Sequence, residues 1–277
     1  MSQAIKPPGH ASPGVAIVGA GRLGSALARA LRDAGVSVEG PLGRDTEPQA
    51  EIVLLCVPDG EIARAASRIG GASFVGHVSG ATPLIALEHA GSQSFGLHPL
   101  QTFAGGEKSE AFEGAGAAVA GTTPEALAVA RDLAERLGMT PIEISDSERA
   151  AYHAAASIAS NFLVTLQAAA ERLAAAAGIA PGDARALLAP LVRGTVENWA
   201  ERGPRDALTG PVARGDRATV ERQRAAVERH APELLALFDE LVACTAALAS
   251  GSSPSGRGTA GDMDDASPQN GYRTVAA

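Results

Sequence analysis

The sequence predicts an α/β chain in two parts, a domain built on a mainly parallel sheet followed by an all-α domain. Three observations predict it. Short apolar runs alternate with helical patterns through the first half of the chain. A glycine-rich turn, Gly19-Ala20-Gly21-Arg22-Leu23-Gly24, joins the first apolar run to the first helical pattern. After Ile144 the strand patterns stop, and alanine-rich helical periodicity takes over.

The apolar runs Val15–Val18, Val36–Val38, Ile52–Val57, Phe74–Val78, Ser94–Leu97, Ala117–Ala120 and Pro141–Ile144 read as strands. Helical patterns lie between several of them, at Ser25–Ala34, Glu61–Ile69 and Thr123–Leu137. Only Asp45–Glu51 separates the second strand region from the third, so that crossover helix should be missing or one turn long. Ser145-Asp146-Ser147-Glu148 matches a capping box and opens a helical pattern that runs to about Ala177. One unbroken helix of that length would span about 45 Å and form the spine of the second domain. Pro181–Arg202 predicts a helix kinked at Pro190; Asp216 caps the next, Arg217–His230, and Pro232 opens the last. The expected divisions are a flexible start over residues 1–13, a dinucleotide-binding domain over 14–145, an all-α substrate and dimerisation domain over 146–249, and a disordered tail over 250–277.

Composition narrows the function classes. The 277 residues are 45% apolar, enough for buried cores, and 23 basic against 31 acidic residues leave a net charge of −8. That balance argues against a broad nucleic-acid or anionic-membrane surface. The polar, proline-bearing start has no apolar signal core, and no run approaches a membrane span, so a cytoplasmic location is the default expectation. Cys56 lies in a strand pattern and Cys244 in a helical one, which suggests two buried thiols rather than a disulfide or a metal site. No His/Cys cluster has zinc spacing, and no metal is expected.

The glycine-rich turn carries the most specific chemistry. Gly19 permits the tight strand-to-helix turn, Gly21 lets backbone approach a pyrophosphate, and Gly24 allows close helix–strand packing, with Ala20, Arg22 and Leu23 completing the loop. With its flanking strand and helix, it predicts a Rossmann-type dinucleotide site. Gly43-Arg44 follows the second strand, where Arg44 suits a 2′-phosphate and hence NADP, with NAD the less favoured cofactor. Glu39 is the rival, since its carboxylate would hold ribose hydroxyls if the strand ended there. Val57-Pro58 and Asp59 follow the third strand, where Pro58 would stiffen a loop against the cofactor, or Asp59 would simply cap the next helix. Ser79 follows the fourth strand and could hydrogen-bond substrate or the nicotinamide carboxamide; Thr82 reads as a helix cap before Pro83.

His98, between the fifth strand and Pro99, offers an imidazole able to exchange a proton near neutral pH, or one that merely bonds loop backbone. On the long helix Tyr152-His153 is followed by Ser157, Ser160 and Asn161, and positions 153, 157 and 161 fall on one helical face at i, i+4 and i+8. That stripe either faces the nicotinamide or makes polar helix–helix contacts. Arg214, in Leu208-Thr209-Gly210-Pro211 through Asp216, could hold a substrate carboxylate bidentately.

Through His98-Pro99-Leu100-Gln101-Thr102-Phe103, Tyr152-His153 with Asn161, and Leu208-Thr209-Gly210-Pro211 with Arg214-Gly215-Asp216, the chain resembles a family of bacterial Rossmann-like oxidoreductases with an uncharacterised all-α C-terminal domain. The resemblance covers about Gly14 to Ala249. More distantly the chain is similar to prephenate dehydrogenases, pyrroline-carboxylate reductases and β-hydroxyacid dehydrogenases. Similarity to the first implies that Ser79 and His98 lie at a reacting centre. The last place a catalytic lysine on the first long helix of the α domain, where this chain has His153. The resemblance implies an NADP-dependent oxidoreductase passing a hydride between nicotinamide and a small carboxylate-bearing carbonyl or alcohol, possible substrates including ketopantoate-like 2-keto acids. In that reading His98 is the first and His153 the second choice of acid/base, Ser79 and Asn161 orient the oxygen, and Arg214 and Ser157 contact substrate. An imine reductase and a non-catalytic dinucleotide-binding sensor or scaffold are the alternatives. The expected partners are a small-molecule substrate and a second copy of the chain in a homodimer, with no nucleic acid and no membrane.

Overall fold

A computed structural model describes residues 14–43, 46–106 and 108–252. The expected flexible start, Arg44 and residues 253–277 of the expected tail lie outside the described residues. The chain divides into two compact units between Thr165 and Leu166.

The first unit is built on one seven-stranded sheet of order β2-β1-β3-β4-β5-β6-β7, formed by Val15–Val18, Val38–Leu42, Ile52–Leu55, Phe74–His77, Gln93–Leu100, Gly116–Gly121 and Thr140–Glu143, numbered β1 to β7. Strands β1 to β5 run parallel, and β6 turns antiparallel against β5 with β7 parallel to β6. This is the α/β, mainly parallel Rossmann-type architecture that the alternation of apolar runs predicts. The central strands read as continuous apolar runs because both faces are covered: Val15 to Val18 are all buried. One face packs Ile17, Leu54, Phe95 and Leu97 against Leu27 and Leu31 of α1 (Arg22–Asp33) and Ala130 and Leu133 of α3 (Pro124–Arg136). The other packs Val53, Leu55 and Val75 against Ile62 and Ala66 of α2 (Ile62–Ala66) and Leu84 and Leu87 of a 3-10 helix at Leu84–Ala90.

In this unit one local expectation holds and one needs adjusting. No helix occupies residues 46–51, as the short connection requires. The helical pattern at Glu61–Ile69 narrows to a 3-10 turn, Asp59–Glu61, running into the five residues of α2. Gly70 and Gly71, the latter at φ +76°, follow this short helix.

The expected spine is two helices, α4 (Arg149–Ala159) and α5 (Asn161–Ala176), that meet at Ser160, whose φ −118° and ψ −72° depart from ideal helix values. The capping box forms only in part: the Glu148 carboxylate accepts from the Ser145 N–H and hydroxyl, so the Ser145 hydroxyl does not cap the Glu148 N–H. In the second unit α6 spans Pro181–Asp206 and accommodates Pro190; its non-helical residue is Gly203 (φ 77°), just before Pro204, rather than Pro190. Asp216 caps α7 (Arg217–His230) as expected, its carboxylate accepting from the Thr219 N–H at 3.1 Å. Pro232 opens a 3-10 turn that leads into α8 (Leu235–Ser250). Bidentate pairs Arg185–Glu171 and Arg224–Asp239 tie α6 to α5 and α7 to α8 within this unit. Cys56, just past β3, and Cys244, in α8, are free thiols, the latter half-buried. Among the described residues no helix is long and apolar enough to cross a membrane.

Candidate active site

Strand order reverses at β1, which has β2 on one side and β3 on the other, so the crevice at the carboxyl end of β1 is where an open α/β sheet receives ligands. The Gly19–Gly24 turn occupies that point. Gly19 sits at φ +115° and carries no Cβ because one would collide with the Cys56 carbonyl; a Cβ on Gly24 would collide with the Gly19 carbonyl. These two close approaches draw the turn onto the end of β3. Gly21, the N-cap of α1, faces open space, with nothing within 4 Å of where a Cβ would stand. No side chain caps α1, so its first N–H groups and its dipole are presented outward, the disposition that suits a pyrophosphate. A cavity of about 260 Å³ lies there, lined by Ala20, Gly21, Arg22, Ser25, Arg29 and Gly105 among others. The residues therefore fit a dinucleotide phosphate: an open glycine, a free helix N-terminus and two arginines. Leu23 packs against the core beneath.

The ribose end is partly described. β2 continues to Leu42, level with Val18, so Glu39 lies three residues back from the strand end, paired with Ala16. Its carboxylate accepts from the Gln49 N–H at 2.9 Å. The condition under which Glu39 would reach the ribose, a strand ending at that residue, is not met. Past β3, Val57 is half-buried and Pro58 exposed. Asp59 does not cap by its side chain; it enters the 3-10 turn after Pro58.

At the same sheet edge a second group of side chains converges. β5 runs on to Leu100, beyond Gly96, the last residue paired with β4, so His98 lies on a strand extension that has lost its β4 neighbour. The turn Ser79-Gly80 fills the adjoining edge. A Cβ on Gly80 would lie 2.9 Å from His98 Nε2 and Cε1 and 2.9 Å from His153 Cδ2, so only glycine lets both rings close over this turn. His98 Nδ1 and the Tyr152 hydroxyl are 2.8 Å apart. The His98 ring meets Tyr152 edge-on, with centroids 5.6 Å apart, and His153 at 6.1 Å. Burial, then the charges of His153 and Arg149, push the His98 imidazole down to about 4, against the opposing pull of Asp59. Burial pushes the Tyr152 phenol up to about 12. When Tyr152 donates to Nδ1, the His98 proton stands on Nε2, over Gly80.

Beneath this pair lies a group that the sequence did not single out. Arg149 is buried at 3% exposure; its Nε donates to Asp146 at 2.7 Å and its Nη1 to the Ser79 carbonyl at 3.4 Å. Asp146 also accepts from the Leu84 N–H at 2.9 Å, capping the Leu84–Ala90 turn from across the chain. His77, fully buried, accepts from the Ser79 N–H on Nδ1 and so carries its proton on Nε2, which has no hydrogen-bond partner. Burial, then Arg149, pushes His77 down to about 4. The spacing Asp146, Arg149, Tyr152–His153 at i, i+3 and i+6/i+7 was the available signal: it marks one helical face.

The other expected site residues are engaged differently from what the sequence suggests. The Ser79 hydroxyl donates to Thr82 Oγ1 at 2.9 Å and accepts from the Ala81 and Thr82 N–H groups, which commits its donor and both lone pairs to the turn. Thr82 serves that turn and does not cap the following helix, whose N-cap is Pro83 without a side-chain bond. The i, i+4, i+8 stripe crosses the break at Ser160, so one helical face does not carry exposed Asn161 along with His153; Ser157 remains on α4, half-buried. Arg214 is exposed in the second unit, where its charge joins the Thr219 hydrogen bonds and Arg222 in holding the Asp216 carboxyl low.

Residues 116–245 match a family model described as a domain of unknown function, DUF2520. The matched span opens at β6 and so takes in the last two strands of the sheet as well as the helices that follow. No curated protein matches the sequence. Among solved structures, the chain is similar to a provisionally assigned NADP oxidoreductase of Bacteroides fragilis, at 20% identity over 85% of this chain and 98% of that one, with a TM-score of 0.71. A Thermotoga maritima protein is similar at 25% identity over 86% and 98%, with a TM-score of 0.70. A Plasmodium falciparum pyrroline carboxylate reductase with NADP bound shares the fold at 12% identity over 87% and 100%, with a TM-score of 0.54. The sheet-plus-helices plan expected from the resemblance is the plan of these structures.

The two depressed histidines make stability depend on pH. Both bind a proton less readily folded than unfolded, so their contribution is complete above the unfolded value of 6.5 and is lost as pH falls through the folded value near 4. The loss is on the order of 3 kcal/mol for each histidine at full extent. Urea unfolding at pH 7.5 and pH 4.5 should show a lower midpoint at the acid end, with the difference reduced in His77→Gln. An unchanged midpoint would show that the folded histidines protonate freely.

Proposed function

We propose that the chain is an NADP-dependent oxidoreductase that passes a hydride between nicotinamide and a small carboxylate-bearing carbonyl or alcohol. The observation that carries this reading is the sharing of one sheet edge by the open cradle at Gly21 and the His98–Tyr152–His153 cluster. Convergence of these rings over Gly80 favours a reacting centre over a binding scaffold. Nicotinamide, when bound, supplies or accepts the hydride; the chain's own residues handle the oxygen and its proton. Arg22 and Arg29 beside the α1 N-terminus suit the cofactor phosphates. Arg44, immediately after Gly43, supplies the planar donor fork that suits a 2′-phosphate.

The two histidines divide the work. Burial, then the charges of His153 and Arg149, keeps the His98 imidazole unprotonated at neutral pH. His98 is then a neutral donor that hydrogen-bonds the substrate oxygen through Nε2, fixed in that tautomer by Tyr152. His153, on the other flank of Gly80, exchanges the proton. This order reverses the one expected from sequence, in which His98 led. The cyclic imine remains an alternative substrate class, since a nitrogen would take the same hydrogen bond and proton.

We also infer that the protein pairs with a second copy. Leu187 and Leu191 of α6 are 64% and 66% exposed, and Trp199 is 56% exposed, a row of large apolar side chains on one helix that a homodimer would cover. Sedimentation at micromolar concentration should give a dimer, and Leu187→Glu/Leu191→Glu should give a folded monomer. A monomeric native protein contradicts the inference.

Oxidation of NADPH against a panel of 2-keto acids, ketopantoate included, and cyclic imines tests the activity. NADPH should bind at least about tenfold more tightly than NADH, and Arg44→Ala should narrow the gap. With the active substrate, His98→Asn should lower kcat about 10²–10³-fold, the size of a lost oxyanion donor. His153→Gln should lower it about 10²–10⁴-fold and remove the corresponding limb of the pH–rate profile. Normal turnover in His153→Gln would move the proton to another group. Normal turnover in both variants would remove histidine from the chemistry.

A further inference from the structure

Arg149 is the most deeply buried cation among the described residues, and the space it fills is made by a missing side chain. Gly96 and His98 lie two residues apart on β5 and so share a sheet face; His77 of β4 pairs in register with Gly96. A Cβ on Gly96 would stand 2.7 Å from Arg149 Nη2, so the guanidinium lies over Gly96, between the two histidines. Its acceptors come from different parts of the chain, the Asp146 carboxylate ahead of α4 and the Ser79 carbonyl past β4.

We propose that Arg149 is the positioning residue of this centre, a buried cation that docks α4 onto the ends of β4 and β5 and so seats Tyr152 and His153 against His98. Three links hold the dock. Asp146 fixes the guanidinium and also the Leu84–Ala90 turn beneath α2. The Ser79 carbonyl ties it to the turn on which Gly80 receives both rings. On α4, Arg149, Tyr152 and His153 stand at i, i+3 and i+4, so anchoring the first orients the other two.

The charge has a second effect. The groups facing His98 are His153, Tyr152 and Arg149 on α4 and Asp59 from the turn after β3. Those facing His77 are Arg149, Asp59 and Asp146, with the Ser79 N–H on its ring. With a permanent cation between them, neither imidazole takes a proton cheaply, and Arg149 and burial act in the same direction. A methionine in its place fills similar volume without charge; a lysine keeps the charge without the fork.

The inference rests on His98 being part of the reacting centre, but it is testable without substrate or cofactor. Histidine-selective ¹³C labelling of the intact protein gives the His98 titration directly, assigned by His98→Asn. Arg149→Met should raise the His98 midpoint by about one pH unit or more, and Arg149→Lys should restore most of the native value. Gly96→Ala, which pushes the guanidinium aside at little cost elsewhere, should move the midpoint the same way as Arg149→Met, and keeps the test available if Arg149→Met fails to fold. Equal midpoints in the wild type, Arg149→Met and Gly96→Ala would overturn the proposal. So would equal rises in Arg149→Met and Arg149→Lys, which would assign the effect to lost packing. An activity screen that finds no substrate leaves this titration unaffected, so the two readings fail separately.

Discussion

The carbonyl of Cys56 lies so close to Gly19 that no side chain fits between them, and Gly24 meets the Gly19 carbonyl in the same way. These contacts hold the first turn down on the end of β3 and fix where α1 begins. Because the N-cap of α1 is Gly21 and no side chain caps the helix, its N-terminal dipole and N–H groups face the crevice beside β1. The sheet does the rest of the placing: parallel strands β1 to β5 end on one edge, so the turns after β3 and β4 and the extension of β5 share that edge with the cradle.

At that edge, chemistry depends on absent side chains as much as present ones. Gly80 admits two imidazoles and Gly96 admits a guanidinium. A buried arginine alone would be costly, and the Asp146 carboxylate at 2.7 Å offsets that cost while remaining partly in water. Burial first, with the cation acting in the same direction, keeps its histidine neighbours uncharged. His77 shows the consequence in its plainest form: fully buried, tied to Ser79 on one nitrogen, and left without a partner on the other.

The strands were legible because burial on both faces leaves uninterrupted apolar runs, and the glycine turn was legible because its three glycines each answer a different steric demand. The second half was harder. An alanine-rich stretch carries no mark of the break at Ser160, since Ala159-Ser160-Asn161 suits a helix nearly as well as a turn. Pro190 drew attention as a kink, whereas the departure came at Gly203, where a positive φ precedes Pro204. Asp146 and Arg149 were hidden by the capping-box pattern, which accounts for Ser145 and Glu148 and draws the reading away from them; their alignment with Tyr152 and His153 required reading the helix face upstream of the aromatic pair. Ser79 follows β4, and its bonds to Ala81, Thr82 and the Thr82 hydroxyl are invisible in sequence.

The central claim is that the Gly21 cradle and the His98 centre belong to one site. Titrating NADPH into protein labelled at glycine ¹⁵N and histidine ¹³C reads both ends at once. The account predicts that the Gly21 amide and the His98 ring shift together along one binding curve, with His89, exposed on the Leu84–Ala90 turn, unmoved. A Gly21 shift with His98 unchanged to saturation, or no shift at Gly21, would contradict it.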